Sequence, residues 1–169
     1  SLKGKYAYDY LHYLSDEEDG MYIDNRYRQQ EVYLSAANLF SILPGWSVDL
    51  SVDAQWNGLE ADLADFAYPK RYTVLAAAAT SLQLKRVSLQ GSLLYTHVTD
   101  VTRRQGTQAG TRNEFTPALV ASCKPLRRHD LSLRAFYKRI FRMPTFNDLY
   151  YTQIGNKNLK PEYTEQYDA

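Results

Sequence analysis

Apolar and polar residues alternate along most of this chain, which predicts about eight β-strands and hardly any helix. The clearest run covers residues 46–56, where every even position is apolar and every odd position is polar. The same period of two recurs, with more exceptions, over residues 72–84, 87–95, 115–123 and 131–137. The pattern predicts an all-β chain whose strands each have one apolar and one polar face.

The polar faces of these predicted strands carry charged residues, among them Asp49, Asp53, Arg134 and Lys138. A dry protein core would have to pair such charges at a high desolvation cost. A hydrated lumen takes them without that cost. We therefore expect the polar face to line an enclosed aqueous space and the apolar face to contact hydrocarbon.

Aromatic residues lie where the edges of an apolar membrane band are expected. Trp46 and Trp56 share a face ten residues apart, which corresponds to about 33 Å along a strand and roughly 23 Å of height at a tilt near 45°. Membrane barrels have an apolar band of similar height between two aromatic girdles. With Tyr72 and Tyr95, these tryptophans are our candidates for girdle residues, and a total of 15 tyrosines suits such a boundary.

The predicted links between strands alternate in length, as in an up-and-down meander whose long loops share one rim and whose tight turns share the other. Short links are expected near residues 40–45, 85–86 and 124–130, and long links near residues 15–26, 57–70, 99–113 and 142–162. A soluble β-barrel can also have one elaborate end. No internal repeat or linker divides the chain, so we treat residues 1–169 as one domain-like unit.

Composition excludes some partners and leaves others open. Lys and Arg number 20 against 19 Asp and Glu, so there is no basic excess for nucleic acid. No apolar run reaches the roughly 18 residues of a transmembrane helix, a result that alternating barrel strands also give. The single Cys123 cannot form an internal disulfide.

Residues that could support catalysis or hold a metal are scattered. His12, His97 and His129 lie on separate segments, and none has metal-ligand spacing to another His or Cys. Cys123 lacks the sharp turn that presents a nucleophile. The acidic run at residues 16–19 lacks the spacing of a helix-loop-helix calcium site. The sequence therefore predicts no catalytic residue, metal or cofactor, and a protein that is not an enzyme.

The most distinctive segment is residues 141–167, which predicts a strand end, a Met-Pro break, an aromatic turn, a Gly-Asn turn and a new strand. Long aromatic-rich loops of this kind are usually functional. The segment resembles a barrel segment of TonB-dependent outer-membrane receptors. The matching residues are Phe141, Arg142, Pro144, Phe146, Asp148, Leu149 and Tyr150, followed by Gly155, Asn156, Leu159, Pro161 and Glu162.

The resemblance implies a slice of a larger transmembrane β-barrel that takes up a scarce nutrient, such as a siderophore, cobalamin or a glycan, across the outer membrane of a Gram-negative bacterium. Implied partners are outer-membrane lipid, the nutrient and the TonB energy-transducing complex, which would be contacted through parts outside this chain. Plug and C-terminal strands are not expected within residues 1–169. An isolated slice would expose two strand edges, so we expect it to self-associate.

Loop aromatics and arginines suit recognition of sugars, chelates or peptides, because they offer planar faces and forked donors. Our candidates for ligand contact are Tyr22, Arg26, Phe66, Tyr68, Arg103, Arg104, Phe146, Tyr150 and Tyr151. For Phe146, Leu149 and Tyr150, packing of the loop onto the barrel wall is the competing interpretation.

Two other classes of protein remain open on the sequence. A soluble small-ligand-binding β-barrel would also show alternation and one decorated rim, with fewer and shorter strands. An outer-membrane barrel hydrolase would place His97 or His129 beside a nucleophile at the long-loop end.

Overall fold

The computed structural model describes residues 1–16, 22–64, 66–103, 109–126, 131–150, 156 and 158–169. Its elements are β1 (Leu2–Asp16), β2 (Tyr22–Leu43), β3 (Trp46–Ala61), β4 (Lys70–Gln83), β5 (Val87–Val101), β6 (Arg112–Cys123), β7 (Leu133–Arg142), α1 (Phe146–Tyr150) and β8 (Glu162–Asp168). Within these described ranges, no helix is long and apolar enough to cross a membrane.

The strands form one antiparallel sheet in which each strand pairs with its neighbours in sequence. This confirms the predicted eight-strand meander. β1 pairs only with β2 and β8 only with β7 among the described residues, so the sheet is an open slice of a barrel wall. The first strands are longer than the alternation predicts, because pairing of β1 with β2 extends to Asp16 and Tyr22.

The two faces of the sheet have opposite character. On β3 the apolar side chains are the more exposed, with Leu50 at 47% and Val52 at 54%, whereas Asp49 and Asp53 on the opposite face are partly buried. The polar face encloses a hollow of about 400 Å³ to which β2 to β6 all contribute. The sheet therefore curls around its polar face, and we call this face inner and the apolar face outer.

The tightest link has a local cause. Pro44 and Gly45 alone connect β2 to β3, and Gly45 has φ 83°. Proline followed by a residue with positive φ is the signature of a type II turn. Residues 84–86 connect β4 to β5, also as predicted, and the β6–β7 link spans residues 124–132, of which 127–130 lie outside the described residues.

The pairing between β6 and β7 is incomplete. It runs from Cys123 opposite Leu133 to Ala118 opposite Lys138 and stops there. The next residue of β6, Pro117, has no N–H to donate to a ladder. Beyond this point β7 continues to pair with β8, so a seam opens between β6 and β7 toward the long loops.

The buried apolar residues lie at the long-loop end of the inner face. Loops fold inward over the strand ends there, and the cluster comprises Tyr27, Leu59, Ala61, Phe66, Ala109, Phe146, Leu149 and Tyr150. Tyr27, Leu59 and Ala61 come from β2 and β3, and the others come from loops and α1. The main core of the chain thus joins the loops to the wall.

Candidate functional site

The loop between β7 and β8 is built around a short capped helix. The Thr145 hydroxyl accepts a hydrogen bond from the Asp148 N–H (3.3 Å), and the Asp148 carboxylate accepts one from the Thr145 N–H (2.8 Å). These reciprocal bonds form a capping box. The bonds that Thr145 donates through its N–H and hydroxyl hold the pKa of Asp148 below its usual range. The predicted aromatic turn is therefore a helix, α1.

Asn156 closes the same loop. Its N–H donates to the carbonyl of Asp148 (2.8 Å), and its side-chain oxygen accepts from the N–H of Asn158 (3.0 Å). Its carbonyl accepts from the N–H of Leu159 (3.1 Å). Asx side chains favour such turns because they bond the backbone two residues on.

A buried ion pair ties this loop to the wall. Arg71 on β4 and Asp100 on β5 face each other in the ladder, and Arg71 donates twice to the carboxylate, at 2.7 and 2.8 Å. Their side chains are only 11% and 1% exposed. Arg71 also donates to the carbonyl of Pro144 (2.8 Å), and its guanidinium lies 4.9 Å from the centre of the Phe146 ring.

Tyr150 completes the connection. Its hydroxyl donates to the Asp100 carboxylate (2.8 Å) and accepts from the N–H of Ala109 (2.9 Å). Burial raises the pKa of the Tyr150 hydroxyl, which stays protonated at physiological pH and remains a donor. Two loops and two strands meet at Asp100, and we call Arg71, Asp100 and Tyr150 the loop anchor.

The ligand candidates fall into two groups. Phe66, Phe146 and Tyr150 are buried in the cluster that joins loops to wall. For Phe146 and Tyr150 this is the packing that we weighed against ligand contact. The side chain of Tyr22, and Arg104 and Tyr151 entirely, lie outside the described residues.

Arg26, Tyr68 and Arg103 converge on one cavity of about 410 Å³. The Arg103 guanidinium lies 4.4 Å from the centre of the Tyr68 ring. Tyr68 has φ 49°, unusual for a residue with a side chain, and precedes the fully buried Pro69. By the period of two along β2, Arg26 shares a face with the outer-face residues Arg28 and Val32, and the Tyr68 ring also packs against the buried Phe66, with ring centres 5.3 Å apart.

The girdle candidates lie on the outer face. Trp56 pairs with Tyr72 across the β3–β4 ladder, and Tyr95 pairs with Phe115 across β5–β6 with ring centres 5.0 Å apart. Trp46 lies at the opposite end, where its indole N–H donates to the Thr80 hydroxyl (3.0 Å). Their role as membrane girdle stays a prediction.

Sequence reasoning missed Arg71 and Asp100. On the sequence they belong to a strand face and a loop, and nothing connects them until the β4–β5 register is known. Their only signal in the sequence is a charged residue at each border between strand and long loop.

Of the two histidines considered for a hydrolytic site, His97 and His129, only His97 lies within the described residues. The nitrogens of His97 are hydrogen-bonded to Asn113 (2.7 Å) and Thr99 (3.2 Å), and its ladder partner Val74 faces outward. His129 lies outside the described residues. Among the residues that are described, no three His, Cys, Asp or Glu side chains could jointly hold a metal.

An antiparallel meander with an exposed apolar outer face, a charged inner face and loops packed onto the inner wall defines a segment of a transmembrane β-barrel. The family model described as "TonB dependent receptor-like, beta-barrel" matches residues 1–169. The chain therefore belongs to the TonB-dependent receptor β-barrel family.

A solved structure with a similar fold is that of "Copper transporter OprC", with a TM-score of 0.68 and 15% sequence identity. The similarity covers 98% of this chain and 32% of that chain, so this chain spans about a third of OprC. A search of the curated proteins returned no match.

Proposed function

We propose that this chain forms part of the wall and of the long-loop rim of a TonB-dependent receptor that imports a scarce nutrient across the outer membrane of a Gram-negative bacterium. Its partners are outer-membrane lipid, the nutrient, and the TonB complex through other parts of the receptor. The observation that carries the proposal is that the sheet exposes its apolar side chains, which is the reverse of the arrangement in a water-soluble protein. Such a surface is stable in hydrocarbon and unstable in water.

The arrangement of the loops supports an uptake role. The loop anchor holds α1 against the inner wall, so we expect the β7–β8 loop to cover part of the lumen at the long-loop rim. A loop that a rigid wall holds at the entrance of a lumen can select a solute before passage. OprC is by its name a transporter of copper, and the nutrient of the present chain is a separate question.

Labelling in intact cells tests the location and the orientation. Lys160 in the β7–β8 loop and Lys85 in the β4–β5 link are both exposed lysines, but they lie at opposite rims. With Cys123 replaced by serine, we expect a membrane-impermeant maleimide to label Lys160→Cys in intact cells. Lys85→Cys should react only after the outer membrane is permeabilised. Equal labelling of both sites in intact cells would contradict the proposal.

Transport is tested in the same strains. Cells with and without the receptor are grown with iron chelates, cobalamin, copper or glycans as the limiting nutrient. We expect one nutrient whose uptake disappears both without the receptor and without TonB. Uptake that persists in cells without TonB would exclude energised transport by this receptor.

A further inference from the structure

On β2 to β4 the outer face changes from apolar to polar and charged beyond the Trp56 row, whereas β1 and β5 keep Tyr8 and Val101 in the next row. Trp56 pairs with Val32 and Tyr72, and the next outward row toward the long loops holds Lys70. One row further, Arg28 lies opposite a carboxylate of β3. Each row is about 7 Å from the next along a strand, so the cations lie immediately beyond the expected border of the apolar band.

Two adjoining cavities follow this border, and together we call them the basic crevice. One has a volume of about 410 Å³ and the other about 100 Å³, and both are lined by Arg28, Glu60, Tyr68 and Arg103. The stacking of Arg103 on Tyr68 and a backbone bond from the Arg103 N–H to the carbonyl of Ala67 (3.0 Å) fix one side.

Trp56 connects the basic crevice to the apolar band. A Cβ on Gly58 would lie 3.1 Å from the indole of Trp56, so the ring lies along the backbone of Gly58. Trp56 and Lys70 both line the smaller cavity. A molecule in the crevice would therefore contact cations on one side and the edge of the apolar band on the other.

The charges of the basic crevice favour an anion. Its cations are Arg26, Arg28, Lys70 and Arg103, and its carboxylates are Glu60 and Asp62. Asp62 accepts a bond from the Arg26 backbone N–H (2.8 Å), and the Arg26 side chain lies 3.8 Å from Asp24. In the described part of the chain no carboxylate forms an ion pair with Arg28, Lys70 or Arg103. Arginine forks suit the oxygens of a phosphate.

We propose that the basic crevice binds the phosphorylated headgroup of a lipid in the outer leaflet, whose acyl chains would lie along the apolar band below Trp56. The proposal rests on the proposed function, because only an outer-membrane barrel meets such a leaflet. A transported nutrient fits less well, because Arg28 and Lys70 project from the face opposite the lumen. Basic clusters bordering a hydrocarbon surface commonly recognise anionic headgroups.

Lipid binding to the intact receptor tests the proposal. The receptor is purified in a zwitterionic detergent, and its affinity for diphosphorylated lipid A is measured by native mass spectrometry. We expect each cation replaced by glutamine to weaken binding about fivefold and the triple variant Arg28→Gln, Lys70→Gln, Arg103→Gln about a hundredfold. If the triple variant does not assemble, the double variant Arg28→Gln, Arg103→Gln is measured in its place.

The double variant Lys85→Gln, Arg86→Gln is the matched control, because it removes two exposed cations from the opposite rim. Equal weakening in this control would overturn the proposal, as would unchanged binding in the triple variant. Dephosphorylated lipid A should bind weakly. If inorganic phosphate competed as well as the lipid, the crevice would be a simple anion site and the lipid proposal would be wrong.

Failure of this proposal is distinguishable from failure of the proposed function. A receptor that folds as a barrel, shows the expected labelling and imports its nutrient, yet binds lipid A equally well without the three cations, would refute only the headgroup site. A receptor that never reaches the outer membrane would refute both.

Discussion

Single residues decide how tightly the strands can be joined. Gly45 combines a positive φ with close packing, since its carbonyl accepts a bond from the Gln83 N–H (2.6 Å). A Cβ at this position would lie 2.4 Å from the carbonyl oxygen of Gln83. Backbone atoms cannot rotate away as a side chain would, so glycine is required for two independent reasons.

We expect Gly45→Ala to lower the free energy of unfolding of the receptor by about 1–3 kcal/mol, because the alanine is strained in its backbone and displaces the neighbouring strand. Gly110→Ala is the control, since a Cβ on Gly110 meets nothing within 4 Å. The measurement is the urea midpoint of the barrel in lipid vesicles. Similar midpoints for the two variants would show that the β2–β3 turn tolerates a side chain.

Whole elements are held together by the loop anchor. Arg71 and Asp100 are strand residues, yet most of their bonds beyond the pair itself serve the loops, through Pro144 and Tyr150. Removal of one member leaves buried polar groups without partners, which costs more than the bond itself contributes. The anchor therefore sets how firmly α1 rests on the wall.

We expect Tyr150→Phe to destabilise the β7–β8 loop by about 1–3 kcal/mol, because the Ala109 N–H and the Asp100 carboxylate each lose a buried partner. Tyr163→Phe is the matched control, because Tyr163 also donates to a carboxylate, that of Glu114 (2.6 Å), but at an exposed site. The measurement is the rate of protease cleavage within residues 143–161 of the folded receptor. Equal cleavage of both variants would disprove the anchor.

The elements differ in how far the sequence predicts them. Alternation gives the faces of β3 correctly, because side chains in a strand have a fixed period of two. It does not give the long-loop ends of β1 and β2, where polar residues such as Arg28 and Glu31 occupy both faces of a strand that continues beyond the apolar band. Partners distant in sequence, such as Arg71 and Asp100, depend on register, which alternation does not specify.

At the scale of the whole molecule, stability depends on the surroundings. Few of the described residues are buried, and large apolar side chains remain exposed over the outer face. In water this surface would drive association, and in a bilayer it is satisfied by acyl chains. The sheet therefore depends on lipid to cover its apolar outer face.

We expect Val52→Arg to lower the free energy of unfolding in lipid vesicles by about 2–4 kcal/mol, because Val52 lies near the middle of the apolar band. Ser51→Arg, at the adjacent position on the inner face, should cost much less, since its side chain reaches the hydrated lumen. Guanidinium unfolding in vesicles compares the two. If Ser51→Arg proved the more damaging, our assignment of the faces would be reversed.

The seam between β6 and β7 indicates how deeply the protein lies in its membrane. Hydrocarbon offers no partner to peptide groups, so we expect the bilayer core to end near Ala118 and Lys138, where the ladder ends. The stacked rings of Tyr95 and Phe115 lie just past that point. The end of the ladder and the predicted girdle residue Tyr95 therefore lead independently to the same expected border of the bilayer core.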